Sequence, residues 1–275
     1  MCARQPSFKR QREIYANGVL PPPALGTATR RTFHVNCCPF KPIRESYEMM
    51  RPTLLCALLM FVAGPVASQV PPTAAEAAQY TGLLAAAARD DAATITRLSA
   101  AGSNVEVRDG HGRTPLHVAA HAKAHAAMRS LVAAGANPNA LDDDRYDIVT
   151  IAAVADDEPT LELALALGCS PRNVTSRYDG TALIAAAHLG HDGVVRTLVH
   201  AGAPLDHVNN LGWTALIESI VLGNGGPRHI ATMKALIDGG ANVNLADRSG
   251  ATPLTLARSR NFGSMGVLLE RAGAH

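Results

Sequence analysis

Residues 114–120 read TPLHVAA, and close copies of this segment recur further along the chain. The copies read TALIAAA at 181–187, TALI at 214–217 and TPLTLA at 252–257. Each copy begins with a threonine, continues with proline or alanine, and then carries leucine, isoleucine and alanine at a spacing that is typical of a helix. The chain is therefore predicted to be an array of one repeated helical unit.

The repeats have a period of about 33 residues. Two looser copies begin at Thr81 and Asp147, so that the six starts fall at positions 81, 114, 147, 181, 214 and 252. In five copies a glycine follows the start at one constant distance, at positions 102, 135, 168, 202 and 273. In the fifth copy the corresponding glycine is Gly240, which comes five positions later than this distance predicts and places a five-residue insertion inside that copy.

The period and the Thr-Pro-Leu-His motif resemble the ankyrin repeat. The resemblance covers residues 79–275 and implies an all-α fold, a solenoid of about six helix–turn–helix repeats with β-hairpin fingers between them. Threonine at a start suits a helix N-cap, and glycine suits a left-handed helix end. The amino-acid sequences of residues 177–191 and 207–226 resemble those of exported bacterial ankyrin-repeat proteins. This resemblance implies a periplasmic location.

Composition supports the same fold class. The chain is 47% hydrophobic but only 4% aromatic, so alanine supplies much of its apolar content. Such a core suits close-packed helices better than a β-sandwich or barrel. Residues 69–275 carry 16 basic and 20 acidic side chains, a net charge of −4. No basic patch is present to neutralise phosphates, so we expect no nucleic-acid partner.

Residues 49–68 carry the pattern of a secretory signal peptide. Met49 or Met50 is followed by one basic residue, an apolar stretch, and small residues before a predicted cleavage after Ser68. We therefore expect a periplasmic or secreted protein. Residues 1–48 are basic and show no helical or strand period. Either translation starts at Met49 or Met50 and this extension is not native, or it is a disordered basic extension.

The mature chain is predicted to need no disulfide, because Cys169 is the only cysteine after residue 68. Residues 69–78 read as a linker that forms either an additional cap or a disordered lead-in to the repeats. Every apolar run is shorter than a typical membrane span of roughly 18 residues or more, so no membrane insertion is expected after the signal is removed.

Three histidines of repeat 2 raise the question of a metal site. His117, His121 and His125 are four residues apart and would share one face of a continuous helix. The repeat register places the helix–helix turn near position 123, so His125 should begin a different helix. His117 belongs to the repeat motif and is predicted to bond back to the Thr114 hydroxyl. We therefore expect no metal.

No other motif indicates catalysis. The glycine-rich stretch 222–227 lacks the Lys-Ser or Lys-Thr of a phosphate-binding loop and reads as a lengthened helix–helix turn. Gly202→Val is predicted to destabilise repeat 4 by roughly 1–2 kcal/mol or more, because a β-branched residue would have to hold a positive φ. Gly225→Ala in this turn is predicted to matter much less. No nucleophile motif is present, so we predict that the chain is not an enzyme and has no cofactor.

We predict a monomeric interaction module that binds another protein through its finger tips and first helices. Aromatic and arginine side chains dominate many interfaces, although Trp213 could instead pack locally. The Asp142–Asp144 cluster is expected to attract a basic or mixed-charge partner across repeats 2 to 4. The predicted contacts are Arg108, Asp109, Arg113, Asp142, Asp143, Asp144, Arg145, Tyr146, Arg177, Tyr178, Asn210, Trp213 and Arg248.

Two narrower roles remain alternatives at the level of the sequence. The first is an immunity or chaperone-like protein for a toxin or an oxidative-stress enzyme. The second is a structural component of the cell envelope without a tight partner. No residue distinguishes these two roles, because the repeat motif specifies the scaffold and not the partner that its variable side chains bind.

Overall fold

The computed structural model describes residues 70–275. Within them it has thirteen helices and, outside the helices, a single isolated β-bridge between Thr175 and Gly180. The helices in chain order are α1 (Ala74–Gln79), α2 (Gly82–Ala88), α3 (Ala92–Ala100), α4 (Pro115–His121), α5 (His125–Ala133), α6 (Ile148–Val154), α7 (Glu158–Ala166), α8 (Ala182–Leu189), α9 (Asp192–His200), α10 (Ala215–Val221), α11 (Pro227–Asp238), α12 (Pro253–Ser259) and α13 (Gly263–Arg271).

Helices α2 to α13 form six antiparallel pairs, one for each predicted repeat. First helices pack against the first helices of neighbouring repeats, and second helices pack against second helices. Each pair buries its apolar faces only against adjacent pairs, which is the packing of a solenoid. The predicted all-α repeat architecture is therefore confirmed.

The first helices begin where the repeat starts predict. The side chains of Asp147, Thr181, Thr214 and Thr252 each accept a hydrogen bond from the backbone amide three residues later. These bonds satisfy amide groups that an uncapped helix leaves unpaired. Thr81 makes no such side-chain bond before α2. In four of the six repeats, the side chain of the start residue thus caps the first helix by accepting a hydrogen bond from the backbone amide three residues later.

Repeat 2 closes its first helix through a histidine. The Nδ1 atom of His117 lies 2.8 Å from the Thr114 hydroxyl and 3.2 Å from the Thr114 backbone nitrogen. The other ring nitrogen lies 3.1 Å from the carbonyl oxygen of Tyr146 in the next finger. The predicted structural role of His117 is confirmed.

The second helices end at the predicted glycines. Residues 102, 135, 168, 202, 240 and 273 all have φ between 80° and 94°. This left-handed conformation carries a steric cost for residues with a side chain, and it turns the chain out of the helix. The constant spacing of these glycines therefore has a local conformational basis.

The insertion of repeat 5 lengthens both the turn between α10 and α11 and the start of α11, which has 12 residues where the other second helices have 9. One expectation about this turn is wrong. Gly225 has φ +70°, and a Cβ added there would lie 2.6 Å from the Cδ1 atom of Phe262. An alanine at this position would be both strained and in collision with the next repeat. The turn is packed rather than free.

The segment assigned to a linker contains the short helix α1. The Thr73 hydroxyl accepts a hydrogen bond from the Glu76 amide at 3.2 Å, and the Glu76 carboxylate accepts one from the Thr73 amide at 2.7 Å. This reciprocal pair is a capping box. Residues 74–79 are thus ordered and precede the repeats directly. The predicted signal peptide and residues 1–48 lie outside the described residues.

Candidate protein-interaction surface

Four of the five fingers share one turn. Its first residue is Asp109, Asp142, Asn209 or Asp247, and its backbone amide donates to the carbonyl four residues later. The side-chain oxygen of the same residue accepts hydrogen bonds from the amides two and four residues later. These side chains shape the turn, because they replace backbone partners that the loop lacks.

This use of the side chains corrects part of the predicted contact set. Asp142 was predicted to face a partner, yet its Oδ1 atom accepts from the amides of Asp144 and Tyr146 at 3.0 and 2.8 Å. Burial raises the pKa of the Asp142 carboxyl. Asp142 is therefore a turn-forming residue whose carboxylate is engaged within its own finger.

A buried cluster joins α1 to the finger of repeat 2. Arg113 is only 2% exposed, and its guanidinium donates to Asp109 at 2.7 Å, to the Val70 carbonyl at 3.0 Å and to Glu76 at 3.1 Å. The Tyr80 hydroxyl donates to Asp109 at 2.6 Å. We call these residues, Val70, Glu76, Tyr80, Asp109 and Arg113, the N-terminal clasp.

The ionisation of the clasp follows from these contacts. Burial opposes the charge on Asp109, but hydrogen bonds from Tyr80, from the His111 amide and from Arg113 outweigh it and lower the pKa of Asp109 to about 2. Hydrogen bonds from Thr73 lower the pKa of Glu76 to about 2. The side chains of Asp109 and Arg113 are buried and bonded to each other. The prediction that they contact a partner is therefore corrected.

The aromatic residues of the fingers divide into two groups. Trp213 is 7% exposed, so its ring belongs to the packed interior and the local-packing alternative holds. Tyr146 and Tyr178 are half-buried and keep part of their surface exposed. Burial raises the pKa of Tyr178, so its hydroxyl is protonated at neutral pH. The two tyrosines remain candidate contacts.

Four charged side chains cross the gap between the fingers of repeats 3 and 4. Arg177 lies 3.0 Å from Asp144, and Arg145 lies 2.8 Å from Asp179. Their side chains are between 35% and 50% exposed. We call these four residues the finger-tip ladder. Asp179 was not among the predicted contacts, although it occupies the position of Arg145 one repeat further along the chain.

The remaining predicted contacts lie around this ladder. Arg108 bonds the carbonyls of Gly112 and Leu141 at 2.7 and 2.8 Å, and Asn210 bonds the Arg177 carbonyl at 2.9 Å. Both side chains therefore link neighbouring fingers. Asp143 and Arg248 are exposed. The surface combines both signs of charge on a rigidly linked set of fingers.

A cavity of about 240 Å³ lies between the first helices of repeats 2 and 3, where α4 and α6 end. His121 lines it, and the Nε2 atom of this ring is buried without a hydrogen-bond partner. Burial lowers the pKa of His121 to about 4, so the ring is neutral at pH 7. Lys123 and Asp157, which lie 3.2 Å apart, also line the cavity. From the sequence, His121 was considered as a metal ligand, and that role was rejected in favour of a structural or surface one.

A second histidine on a first helix, His188, has a charged neighbour. His188 Nδ1 lies 3.5 Å from the carboxylate of Glu218, whose side chain is completely buried. The Asn209 amide donates to the same carboxylate at 2.8 Å. Because Asn209 also shapes the finger of repeat 5, this group ties the finger to the helices. The sequence signal was an acid in a helix position that is apolar in the other repeats.

The arrangement of the described residues offers little for metal or covalent chemistry. His125 begins α5 and lies 2.8 Å from the Thr160 hydroxyl. Between residues 70 and 275 no group of three His, Cys, Asp or Glu side chains is placed to hold a metal ion. Burial raises the pKa of the Cys169 thiol to about 12, so this sulfur is a poor nucleophile at neutral pH.

None of the helices found over residues 70–275 combines the length and apolar character that crossing a bilayer requires. The helices instead build a repeat scaffold with a variable finger surface, which is the class of protein that the geometry defines.

Comparison with known proteins agrees with this class. The profile of three successive ankyrin repeats matches residues 83–175, and the single ankyrin-repeat profile matches residues 178–210. A crystal structure of an ankyrin repeat domain from Acinetobacter baumannii is 42% identical, with a TM-score of 0.66, and the alignment covers 70% of this chain and 98% of that one. The chain belongs to the ankyrin-repeat family.

Two further relatives are more distant or cover less of the chain. The ankyrin repeat domain of Bcl-3, a member of the IkappaB family, is 29% identical over 72% of this chain and 88% of its own, with a TM-score of 0.63. The ankyrin repeat protein YahD of Escherichia coli K12 is 40% identical over 103 residues, or 37% of this chain. The match spans 51% of YahD, about half of its length.

Ankyrin repeats are protein–protein interaction modules and are generally not enzymes.

Proposed function

We propose that this chain is an exported interaction module that binds a protein partner of mixed charge through the finger-tip ladder and Tyr178. The observation that carries the proposal is the ladder itself, in which both signs of charge alternate across repeats 3 and 4 at 35% to 50% exposure. A surface with both signs is matched best by a partner that also presents both signs.

The clasp shifts the proposed contact region away from repeat 2. Its buried ion pairs hold Arg113 and Asp109 against α1, so the finger of repeat 2 has fewer charges to offer. The fingers of repeats 3, 4 and 5 are joined by backbone hydrogen bonds from Ser176 to Arg145 and from Asn210 to Tyr178, at 3.0 and 2.9 Å. A preorganised surface of this kind loses little entropy on binding.

Export rests on the signal pattern of residues 49–68. Cleavage after Ser68 would leave the clasp complete, because its first contact is made by the carbonyl of Val70. The measurement is the mass and N-terminal sequence of the protein recovered from the periplasm, which should begin at Gln69. Intact protein in the cytoplasm with residues 1–48 attached would overturn the export proposal.

The binding proposal is tested by capture from periplasmic extract, followed by kinetics with the captured protein. The double variant D144S/R177S removes one rung of the ladder and should lower both the association rate and its salt dependence. Tyr178→Ala should raise the dissociation rate, because the complex loses the contact area of a half-buried ring that anchors the partner.

The matched control is K234S/D238S, which removes a more exposed ion pair on α11, away from the fingers. This variant should bind like the unmodified protein. If the control variant loses binding while D144S/R177S and Tyr178→Ala retain it, the finger surface is not the site. If no extract protein is captured, a structural envelope role replaces the binding proposal.

A further inference from the structure

Successive repeats are tied together by a hydrogen bond that lies just after their second helices. A side-chain oxygen of one repeat accepts from a backbone amide of the next repeat, and we call this contact the base bond. It joins Glu106 to the Asn137 amide at 2.7 Å, Asn139 to the Ser170 amide at 2.8 Å, Asp206 to the Asn242 amide at 2.9 Å and Asn244 to the His275 amide at 3.1 Å. Four of the five junctions between repeats therefore carry the same tie.

The junction between repeats 3 and 4 lacks the base bond on both sides. Its acceptor position is occupied by Arg172, whose side chain has no acceptor atom. Its donor position is occupied by Pro204, which has no amide hydrogen. Because the donor and the acceptor are missing together, neither is left without its partner, and the junction loses the tie without the cost of an unpaired polar group.

The finger at the same junction is also built differently from the others. In four fingers an aspartate or asparagine side chain braces the turn, as Asp142 does. Thr175 occupies that position between repeats 3 and 4, and its hydroxyl lies 3.1 Å from the Thr150 hydroxyl instead. Ser176 and Asp179 in this finger have φ of +62° and +49°, which is uncommon for residues with a side chain. Two separate departures from the repeat pattern therefore fall on one junction.

Two polar ties still join repeats 3 and 4, at opposite ends of their helices. At the finger tips, the Ser176 amide donates to the Arg145 carbonyl at 3.0 Å, beside the ion pairs of the finger-tip ladder. At the helix–helix turns, Nδ1 of His191 lies 2.8 Å from the Ala153 carbonyl oxygen. These two ties define an axis about which repeat 4 can rotate against repeat 3.

We infer that the junction between repeats 3 and 4 is a hinge of the solenoid, which opens where the base bond is missing. Opening separates the C-terminal ends of α7 and α9 and changes the curvature of the solenoid. The finger-tip ladder crosses the same junction, so the rotation also changes the angle between the two fingers that carry it. The hinge is a property of the free chain and does not depend on the proposed function.

Distances between pairs of spin labels, measured by electron spin resonance, test the hinge without a partner. The second helices of repeats 2 to 5 end at four exposed residues, Ala133, Ala166, His200 and Asp238. The label pairs A133C/A166C, A166C/H200C and H200C/D238C span three successive junctions, and the native Cys169 is buried and so is labelled poorly. We expect the broadest distance distribution for A166C/H200C. Equal widths at the three junctions would overturn the inference.

Introducing a base bond should close the hinge. R172D/P204N supplies the acceptor type of Asp206 and the donor type of Asn242, which occupy these positions at the next junction. It should shift the hinge about 5-fold toward the closed state, the effect of one net hydrogen bond, and narrow the A166C/H200C distribution. R172D or P204N alone supplies half of the bond and should leave the distribution broad. No narrowing by the double variant, or equal narrowing by a single variant, would contradict the hinge.

The reverse change tests the base bond at a junction that has it. D206A removes the acceptor of the Asn242 amide, so it should broaden the H200C/D238C distribution toward the width of A166C/H200C. The A133C/A166C distribution should stay as it is in this variant, because its junction keeps the bond from the Ser170 amide to Asn139. An unaltered H200C/D238C distribution would show that base bonds do not restrain the repeats, and the inferred hinge would then be wrong.

Discussion

His121 in repeat 2 and His188 in repeat 4 both lie seven residues after a repeat start, yet they have opposite surroundings. The neighbour four residues after the following start is Ile151 for His121 and Glu218 for His188. The first histidine lies beside an apolar cavity, and the second lies beside a buried carboxylate. The repeat sets where the ring is placed, and the residue one repeat later sets its chemistry.

The largest expected effect comes from removing the carboxylate. Glu218→Ala should lower the free energy of unfolding by about 3 kcal/mol, because it opens a cavity and leaves the Asn209 amide donor without the acceptor at 2.8 Å. Urea denaturation measures the loss. The control Glu218→Gln keeps the size and one acceptor, so it should cost much less. Equal losses in both variants would mean that the charge itself, rather than the packed acceptor, is what matters.

His121, the histidine in apolar surroundings, should make the protein less stable in acid. Burial lowers the pKa of His121 from 6.5 to about 4, so below pH 6.5 the unfolded chain takes up a proton that the folded chain refuses. Stability from this group is complete above pH 6.5 and is lost as the pH falls toward 4, by about 2 kcal/mol at pH 5.

His121→Phe removes this proton uptake, so its free energy of unfolding should fall less between pH 7 and pH 5 than that of the unmodified protein. His188→Phe should keep the steeper dependence. Burial also lowers the pKa of His117 and of His229, so part of the acid sensitivity remains in every variant. Parallel pH profiles for His121→Phe and the unmodified protein would contradict the assignment.

The two regions also differ in the turn that follows each histidine. Lys123 and Gly190 occupy the same left-handed position, with φ +55° and +72°. Gly190→Ala should cost about 1–2 kcal/mol from backbone strain, with more from a Cβ lying 2.8 Å from the His229 ring. Lys123→Ala replaces one strained residue by another and loses only the exposed end of the ion pair with Asp157. Thermal unfolding should therefore rank Gly190→Ala as the more damaging change, and the reverse order would refute the comparison.

The smallest stability effect is expected at the finger-tip ladder. D144S/R177S should change the free energy of unfolding by less than about 1 kcal/mol, because exposed ion pairs contribute little in water. The same variant is expected to slow association with the partner. A loss of several kcal/mol in denaturation would mean that the ladder holds the fingers together rather than serving a partner.

Several features followed from local sequence alone. The threonine and aspartate starts cap helices through bonds that span three residues, and the six glycines end helices through their own φ angles. Such contacts depend on neighbours within one turn of chain, so a sequence motif carries them completely. The period, the helix pairs and the position of the insertion could all be predicted for this reason.

The contact surface depended on residues that are distant along the chain. Arg113 is buried because the carbonyl of Val70 and the carboxylate of Glu76 reach it, and Gly225 is packed because Phe262 covers it. These contacts join residues that are far apart in the sequence, so no local pattern predicts them. The predictions for Arg113 and Gly225 were wrong for this reason, whereas those for the helix caps were confirmed. The sequence by itself determined the repeated frame, through short-range hydrogen bonds and φ preferences. Only tertiary packing between successive repeats decided which finger side chains remain exposed and whether a first-helix histidine lies beside an apolar cavity or a carboxylate.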